Sequence, residues 1–459
     1  MVFEFNSFGD NVVWAFAIQF FILAAALLLG NVLRRKVPFF RKSLMPSALI
    51  GGTLILLLKL VPGFKGLIDQ SGMEIVTYHC LAIGFIALAL KRSKEKGKAS
   101  VTTVVEAGVL QGAVYAMQAA AGLIITIILF FVTDFFAGGG VLLALGFGQG
   151  TGQALSFGKI FESEYGFVGG ATFGLTIATV GFFVACIVGV VYMNILRRRG
   201  KLKIVTDKTE DEKLSDYITE NEIPRAESVD RLTINVGLVF LIYGLVYTVM
   251  RIVNVSLVWG FNFLLGSLFA LFCKLFLNQL RKRGLMHREI INDYLLDRIS
   301  GLAFDTMIIA GVAAIDLDDL SSMWWQLAII CTVGTVLTFV YIRAASKELF
   351  KGYEDEGFFS FFGMLTGTAS NGVILLREID PSFKTPAATN LVMSGLPAII
   401  FGGGLLLVLD YCPRGLTEAI ISCAILLAGF FIFSLILFRR RIFKKHYAKK
   451  AAMQADKKD

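Results

Sequence analysis

The sequence has little of what soluble enzymes use for catalytic and metal sites. Only 3 of its 459 residues are histidine, and only 17% are charged. His79, His287 and His446 form no His-Glu-x-x-His motif, and there is neither a Gly-x-Ser-Gly motif nor an evident pair of Asp-containing spans. These absences argue against an intramembrane metallo-, serine or aspartyl protease, so we predict that the protein is not an enzyme.

Cysteine and charge patterns exclude two further classes. Cys412 lies in a predicted loop, and the other five cysteines lie inside apolar runs without metal-ligand spacing, so we expect no disulfide framework and no cofactor. The net charge of +9 could suggest nucleic acid as a partner. The basic residues instead form short clusters between apolar runs, which is typical of membrane topology. We therefore expect no nucleic-acid partner.

Apolar residues are abundant. They make up 56% of the chain, and the mean hydropathy is +0.71. A soluble domain of this length could not bury so much apolar surface. The composition predicts an all-α, multi-pass protein of the cell membrane, with the lipid bilayer as its surroundings.

Runs long enough to cross a bilayer, about 20 residues each, divide the chain into two halves and a tail. Basic clusters after spans 1, 3 and 5 place the N-terminus outside and the C-terminus in the cytoplasm. The predicted spans are 11–33, 46–61, 73–90, one within 102–132, 171–196, 232–253, 258–277, 299–315, 323–344, 387–409 and 416–438.

Five spans per half is an odd number, so the second half should enter the membrane in the opposite sense. We therefore predict two inverted-topology repeats. The predicted domains are an N-terminal repeat over 1–196, a cytoplasmic linker over 197–231, a C-terminal repeat over 232–410, and an extra span with a basic tail over 411–459.

Each half contains one glycine-rich polar segment between apolar runs. The first glycine segment covers 146–156 and the second covers 363–372. Irregular backbone at membrane depth survives only inside protein or beside a wet cavity. We predict re-entrant hairpins near 138–165, entering from outside, and near 356–382, entering from the cytoplasm, with tips that meet at a binding site.

Helix N-termini at such tips suit a carboxylate, and opposed helix C-termini and unwound carbonyls suit Na⁺. The alternative is that the glycines only let helices pack closely, but two copies at corresponding positions favour binding. The predicted substrate-binding residues are Gln149, Gly150, Thr151, Gly152, Gln153, Ser156, Gly367, Thr368, Ser370 and Asn371.

Four further polar residues are candidates for cation coupling. Asp305 and His79 occupy matching places in spans 8 and 3, while Gln118 lies in span 4 and Thr366 precedes the second break. An ionisable group inside a span is by default a functional candidate. We expect Na⁺ at Asp305 and at carbonyls of the hairpin tips. The alternative is a structural hydrogen bond between helices, worth about 1 kcal/mol.

The first glycine segment and its surroundings resemble the bacterial sodium/glutamate symporters. The matching motifs are Gly148-Gln-Gly-Thr-Gly152, Lys159-Ile-Phe, Tyr165-Gly-Phe167 and Met117-Gln118. The resemblance implies Na⁺-coupled symport of a small carboxylate, glutamate or a related amino acid. It also implies two five-span inverted repeats with re-entrant hairpins, a homodimer, and elevator-type movement.

The chain departs from that family in three places. Gln149 stands where the family commonly has histidine, the second segment lacks the proline of the family's Gly-Ala-Thr-Pro-Thr pattern, and span 11 is additional. A citrate-type hydroxycarboxylate symporter, which shares the inverted-repeat plan, is the alternative among carriers. A channel would instead place polar rings along a continuous pore.

Overall fold

The computed structural model describes residues 11–61, 63–91, 100–202, 228–285, 290–380 and 384–442. Within these ranges the chain forms α-helices, short 3-10 turns and connecting loops, and no strand. Most of the predicted linker and the basic tail beyond residue 442 lie outside the described residues.

The described part of the first half contains eight α-helices, and five of them, α1, α3, α4, α5 and α8, correspond to predicted spans. Their bounds follow the predicted spans closely, with α5 starting one residue before the predicted limits and ending one residue after them. The helices are α1 (Asn11–Lys36), α2 (Pro38–Lys42), α3 (Ser47–Leu58), α4 (Gln70–Leu90), α5 (Val101–Thr133), α6 (Leu142–Gln149), α7 (Thr151–Tyr165) and α8 (Gly170–Arg198).

The described part of the second half contains ten α-helices in a similar order, in which two shorter helices, α16 and α17, stand where the first half has α8, and one long helix, α18, is added. Its helices are α9 (Ser228–Val253), α10 (Ser256–Gly260), α11 (Asn262–Lys282), α12 (Asp293–Ala313), α13 (Leu317–Leu349), α14 (Glu354–Thr366), α15 (Ala369–Arg377), α16 (Ala387–Met393), α17 (Gly395–Tyr411) and α18 (Leu416–Ile442).

Eight helices in the described part are long and apolar enough to cross a membrane, so the prediction of a multi-pass membrane protein is confirmed. They are α1, α4, α5, α8, α9, α11, α13 and α18. Three other predicted spans are helical but are not among the eight. α3 has only 12 residues, or about 18 Å. α12 carries charges such as Asp297 and Asp305, and the predicted tenth span is divided into α16 and α17 at Ser394.

The helices pack as two groups. The first helix group contains α1, α3, α4, α9, α11 and α12, and the second contains α5 to α8 and α13 to α18. The core of the second group is rich in phenylalanine, and Phe358, Phe359, Phe361 and Phe362 of α14 are fully buried there. α7 also contacts α4, α10 and α12, so this arm beside the first glycine segment lies where the groups meet.

Two lysines link helices from opposite halves of the chain. Lys59, which follows α3, donates from Nζ to the carbonyl of Ile315 beyond the end of α12, at 3.0 Å. Lys274 of α11 donates to the carbonyls of Ala89 and Lys91 at the end of α4, at 2.9 and 3.0 Å. A cation is favourable at a helix C-terminus, where carbonyls are unpaired. The two contacts therefore stabilise the α3–α12 and α11–α4 pairs in the same way.

The predicted extra span is the helix α18, which packs against α5 and α13. Arg439 donates to Glu106 of α5 at 2.6 Å. The hydroxyls of Tyr341 on α13 and Ser434 lie 2.8 Å apart. These polar contacts fix α18 against α5 and α13.

Candidate functional site

Each glycine segment interrupts a helix. Gly150 separates α6 from α7 with φ +85° and ψ −172°, a conformation that is essentially restricted to glycine. In the second segment, Gly367 and Thr368 separate α14 from α15. α7 and α15 therefore begin at the breaks, where their first N–H groups have no partner within the helix.

The two breaks are neighbours in space although they come from opposite halves of the chain. A Cβ atom placed on Gly150 would lie 3.4 Å from Cγ2 of Thr368 and 3.8 Å from the carbonyl oxygen of Gly367. The starts of α7 and α15 thus meet at one point. This juxtaposition brings the positive ends of two helix dipoles together.

The first break is anchored on the first helix group. A Cβ atom on Gly152 would approach Cδ1 of Leu81 to 2.6 Å and Sδ of Met307 to 2.9 Å. A Cβ on Gly311 of α12 would lie 2.8 Å from Cβ of Thr151. At Gly152 the glycine is therefore needed for close packing, which was the alternative to a binding role in the sequence analysis. This packing also sets how α7 points at the second break.

A cavity of about 600 Å³ lies beside the breaks, between the two helix groups. Such a volume is within the usual range of about 300–1,000 Å³ for small-molecule sites. Six of the predicted residues line it: Gln149, Gln153, Thr368, Ser370, Asn371 and Asp305.

Several buried polar atoms around the breaks have no hydrogen-bond partner within the described part of the chain. They include Oγ1 of Thr151, Oγ1 of Thr368 and Nδ2 of Asn371. Leaving such a group unpaired costs about 1–3 kcal/mol, so a native structure needs a reason for it. Asn371 is 3% exposed and lines the cavity from the first turn of α15. Its amide is a donor available to a ligand oxygen.

Gln118 has a positioning role in the structure. It is 1% exposed, and its Nε2 donates to Oγ1 of Thr338 at 3.0 Å and to the carbonyl of Leu365 at 2.9 Å. Gln118 thus ties α5 to α13 and to the last turn of α14, directly before the second break. It is not among the residues that line the cavity.

Other predicted residues also lie outside the cavity lining. The hydroxyls of Ser156 and Thr366 donate within their own helices, to Gly152 at 2.8 Å and to Phe362 at 2.7 Å. Both are buried. Gly150, Thr151 and Gly367 form the breaks themselves and are not among the residues that line the cavity.

His79 and Asp305 do not share a site in the structure. Nδ1 of His79 lies 2.6 Å from the Tyr243 hydroxyl on α9, and His79 is exposed outside the cavity lining. Asp305 lines the cavity. Their matching positions in the sequence therefore correspond to two different environments.

Sequence reasoning missed several cavity residues. Arg34 was assigned only to the basic cluster that sets topology, yet it lines the cavity together with Tyr115. Gln111 also lines it, and its Nε2 donates to Oγ of Ser394 at 2.6 Å. A signal for Gln111 existed, because it precedes Gln118 by seven residues and shares that face of α5. Nothing in the sequence pattern distinguished Arg34 from its basic neighbours.

Comparison with known families places the chain in a class. A model of the family described as sodium/glutamate symporter matches residues 15–362. The chain therefore belongs to the sodium/glutamate symporter family, which confirms the resemblance seen in the first glycine segment. This is a family of transporters, so the prediction that the protein is not an enzyme is also confirmed. The matched range ends one residue before the second glycine segment, and a search of curated proteins gave no match.

Proposed function

We propose that the protein couples Na⁺ to the symport of a small carboxylate, glutamate or a related amino acid. The observation that carries this proposal is Asn371, a buried amide donor without a partner in the described part, which faces the cavity where two helices begin. Such a donor destabilises the empty site, and a ligand oxygen that accepts its hydrogen bond removes this cost in free energy.

The carboxylate is held by three kinds of group. The N-termini of α7 and α15 supply partial positive charge and free N–H groups. Nδ2 of Asn371 adds a donor from inside the cavity wall. Gln149, Gln153 and Ser370 line the same cavity and can donate or accept.

Na⁺ is a hard cation and requires oxygen ligands. α6 and α14 end at the breaks, where their last carbonyls accept no hydrogen bond from within the helix. The hydroxyl oxygens of Thr151 and Thr368 have no partner within the described residues. These oxygens supply a coupling site for Na⁺ next to the carboxylate, in the arrangement expected of broken helices in transporters.

The finer architecture belongs to this proposal. Two inverted repeats with re-entrant hairpins explain why Lys59 and Lys274, at corresponding places in the halves, each bind the end of a helix from the other half. A cavity between two helix groups supports elevator movement of the second group against the first. The homodimer is carried over from the family.

The proposed orientation makes a further prediction about sidedness. With the N-terminus outside, Glu106 and Arg439, which form an ion pair at 2.6 Å, both lie on the cytoplasmic side. Val168, which is 79% exposed after α7, lies outside. Lys351, exposed in the turn before α14, lies in the cytoplasm.

We expect a membrane-impermeant maleimide added to intact cells to label Val168→Cys and not Lys351→Cys. The order should reverse in inside-out vesicles. The parent protein is the control for the six native cysteines, and permeabilised cells show that both positions can react. Labelling of both positions from the same face would contradict the opposed topology of the two segments.

In proteoliposomes, an inward Na⁺ gradient should drive uptake of labelled glutamate, and an equal K⁺ gradient should not. Coupling follows if Na⁺ and carboxylate occupy neighbouring parts of one site. Citrate and glutarate are tested as competitors, since strong competition by citrate alone would favour the hydroxycarboxylate alternative. Counterflow of labelled substrate checks that transport is by a carrier, and its absence despite rapid flux would favour a channel.

A further inference from the structure

Two opposite charges face the cavity without forming a bond to anything in the described part of the chain. Arg34 of α1 is half-buried and Asp305 of α12 is exposed to the cavity, and both line it. Neither makes a hydrogen bond or a salt bridge with the described residues, although Asp305 is within the electrostatic reach of Arg34. Lysines and arginines elsewhere in the fold, such as Lys59 and Arg439, have found partners.

The position of Asp305 relative to the breaks follows from α12. Gly311 of this helix touches Thr151, and Met307 touches Gly152. Asp305 precedes Gly311 by six residues, or about 9 Å along the axis. Asp305 therefore lies across the cavity from the start of α7 at a distance comparable to a small amino acid, and not within the broken helices themselves.

The wall next to Asp305 is aromatic. Phe85 packs against Phe263 with ring centroids 5.2 Å apart and against Phe304 with centroids 5.4 Å apart. All three rings line the cavity. The aliphatic part of a substrate fits such a wall, whereas a charged group placed against the rings would lose its water without gaining a partner.

We propose that Arg34 and Asp305 form a charged subsite that reads the second carboxylate and the ammonium group of an amino dicarboxylate. The inference rests on the proposed function: one carboxylate binds at the starts of α7 and α15, Arg34 pairs with the other carboxylate, and Asp305 accepts from the ammonium. The pair thereby selects amino acids over hydroxycarboxylates and other acids without an amine.

The physical basis is the asymmetry between a satisfied and an unsatisfied polar group. A site built to bond a substrate group strongly rejects an analogue that lacks it, because its own polar group is left unpaired. Glutarate has only a hydrogen atom where glutamate has its ammonium, so Asp305 is left without a partner and repels the two carboxylates. Glutamine replaces the second carboxylate by an amide, so Arg34 loses its counter-ion.

The test compares glutamate, glutarate and glutamine as competitors of Na⁺-driven uptake in proteoliposomes containing the full chain. Asp305→Asn should weaken the apparent affinity for glutamate by about ten- to a hundredfold, which corresponds to a hydrogen bond to a charged group. The apparent affinity for glutarate should be unchanged or improved. Arg34→Gln should weaken the apparent affinity for glutamate by a similar factor and leave the apparent affinity for glutamine unchanged.

Matched controls come from the same helices. Arg35→Gln removes the neighbouring exposed cation, which does not line the cavity. Asp297→Asn removes a carboxylate of α12 that pairs with Lys91 at 2.6 Å, outside the cavity. Both controls should keep the preference of the parent protein for glutamate over glutarate. Arg34→Lys retains the charge and should keep most of that preference.

Several outcomes overturn the inference while leaving the proposed function standing. In one such outcome, the parent protein shows Na⁺-driven glutamate uptake, and Asp305→Asn has the same ratio of apparent affinities for glutamate and glutarate as the parent protein. Another is a raised Na⁺ requirement in Asp305→Asn at an unchanged ratio, which would assign Asp305 to cation coupling. If a variant transports too slowly to measure, ligand-induced thermal stabilisation of the purified protein gives the same ratio. Absence of Na⁺-driven uptake by the parent protein would instead refute the proposed function.

Discussion

Replacing Gly150 by alanine should abolish transport while leaving a folded protein. Its φ of +85° with ψ of −172° lies in a region that side chains avoid, at a cost of about 1–3 kcal/mol. The break relieves this strain by rotating, and the start of α7 then moves away from Thr368, whose Cγ2 lies 3.4 Å from the Cβ position. In the proposed site, both the bound carboxylate and the oxygens that bind Na⁺ depend on that contact.

Gly166 is the matched control for this substitution. It ends the same helix, with φ +73° and ψ +22°, a left-handed conformation that asparagine adopts at little cost. A Cβ there meets nothing within 4 Å. Gly166→Asn should keep wild-type uptake. Uptake is measured per amount of folded protein, and a Gly150→Ala variant that transports normally would show that the broken helix is not part of the site.

The second large effect is expected from Asn371→Asp. The change preserves the shape of the side chain but puts a negative charge where an anionic carboxylate is proposed to bind. A like-charge contact costs several kcal/mol, so affinity should fall by about a hundredfold or more. The measurement is substrate-dependent thermal stabilisation together with uptake.

Asn390→Asp separates charge repulsion from the cost of burying a carboxylate. Asn390 is fully buried and donates to the Tyr353 hydroxyl at 2.9 Å, away from the cavity. Its replacement should reduce stability without changing the apparent affinity of the protein that remains folded. Equal losses of affinity at both positions would mean that Asn371 acts through folding alone.

The sequence was a good guide to the long helices and to the location of the breaks. Long apolar runs leave few alternatives to a helix in lipid, because every backbone group must be paired internally. Gly150 and Gly367 mark the breaks because glycine is used where the backbone must turn or approach another backbone closely. The long apolar runs therefore predicted α5 and α8 almost to the residue.

The cavity was harder to predict because it depends on which faces of distant helices meet. Arg34 has the same sequence surroundings as Arg35, and only packing places one of them in the cavity. His79 and Asp305 occupy similar places in their halves, but α4 turns His79 towards Tyr243. Gln118 was predicted as a candidate for cation coupling, and its bonds to Thr338 and Leu365 are contacts between helices that no local pattern specifies.

The position of α18 has a consequence for how copies of this chain can assemble. This helix covers part of α5 and α13, and the Glu106–Arg439 pair secures it there. α18 therefore covers a surface of α5 and α13 that, in another protein, an accessory subunit could cover. A second copy cannot reach the surface of α5 and α13 that α18 occupies, so any dimer of this protein must be joined through another face.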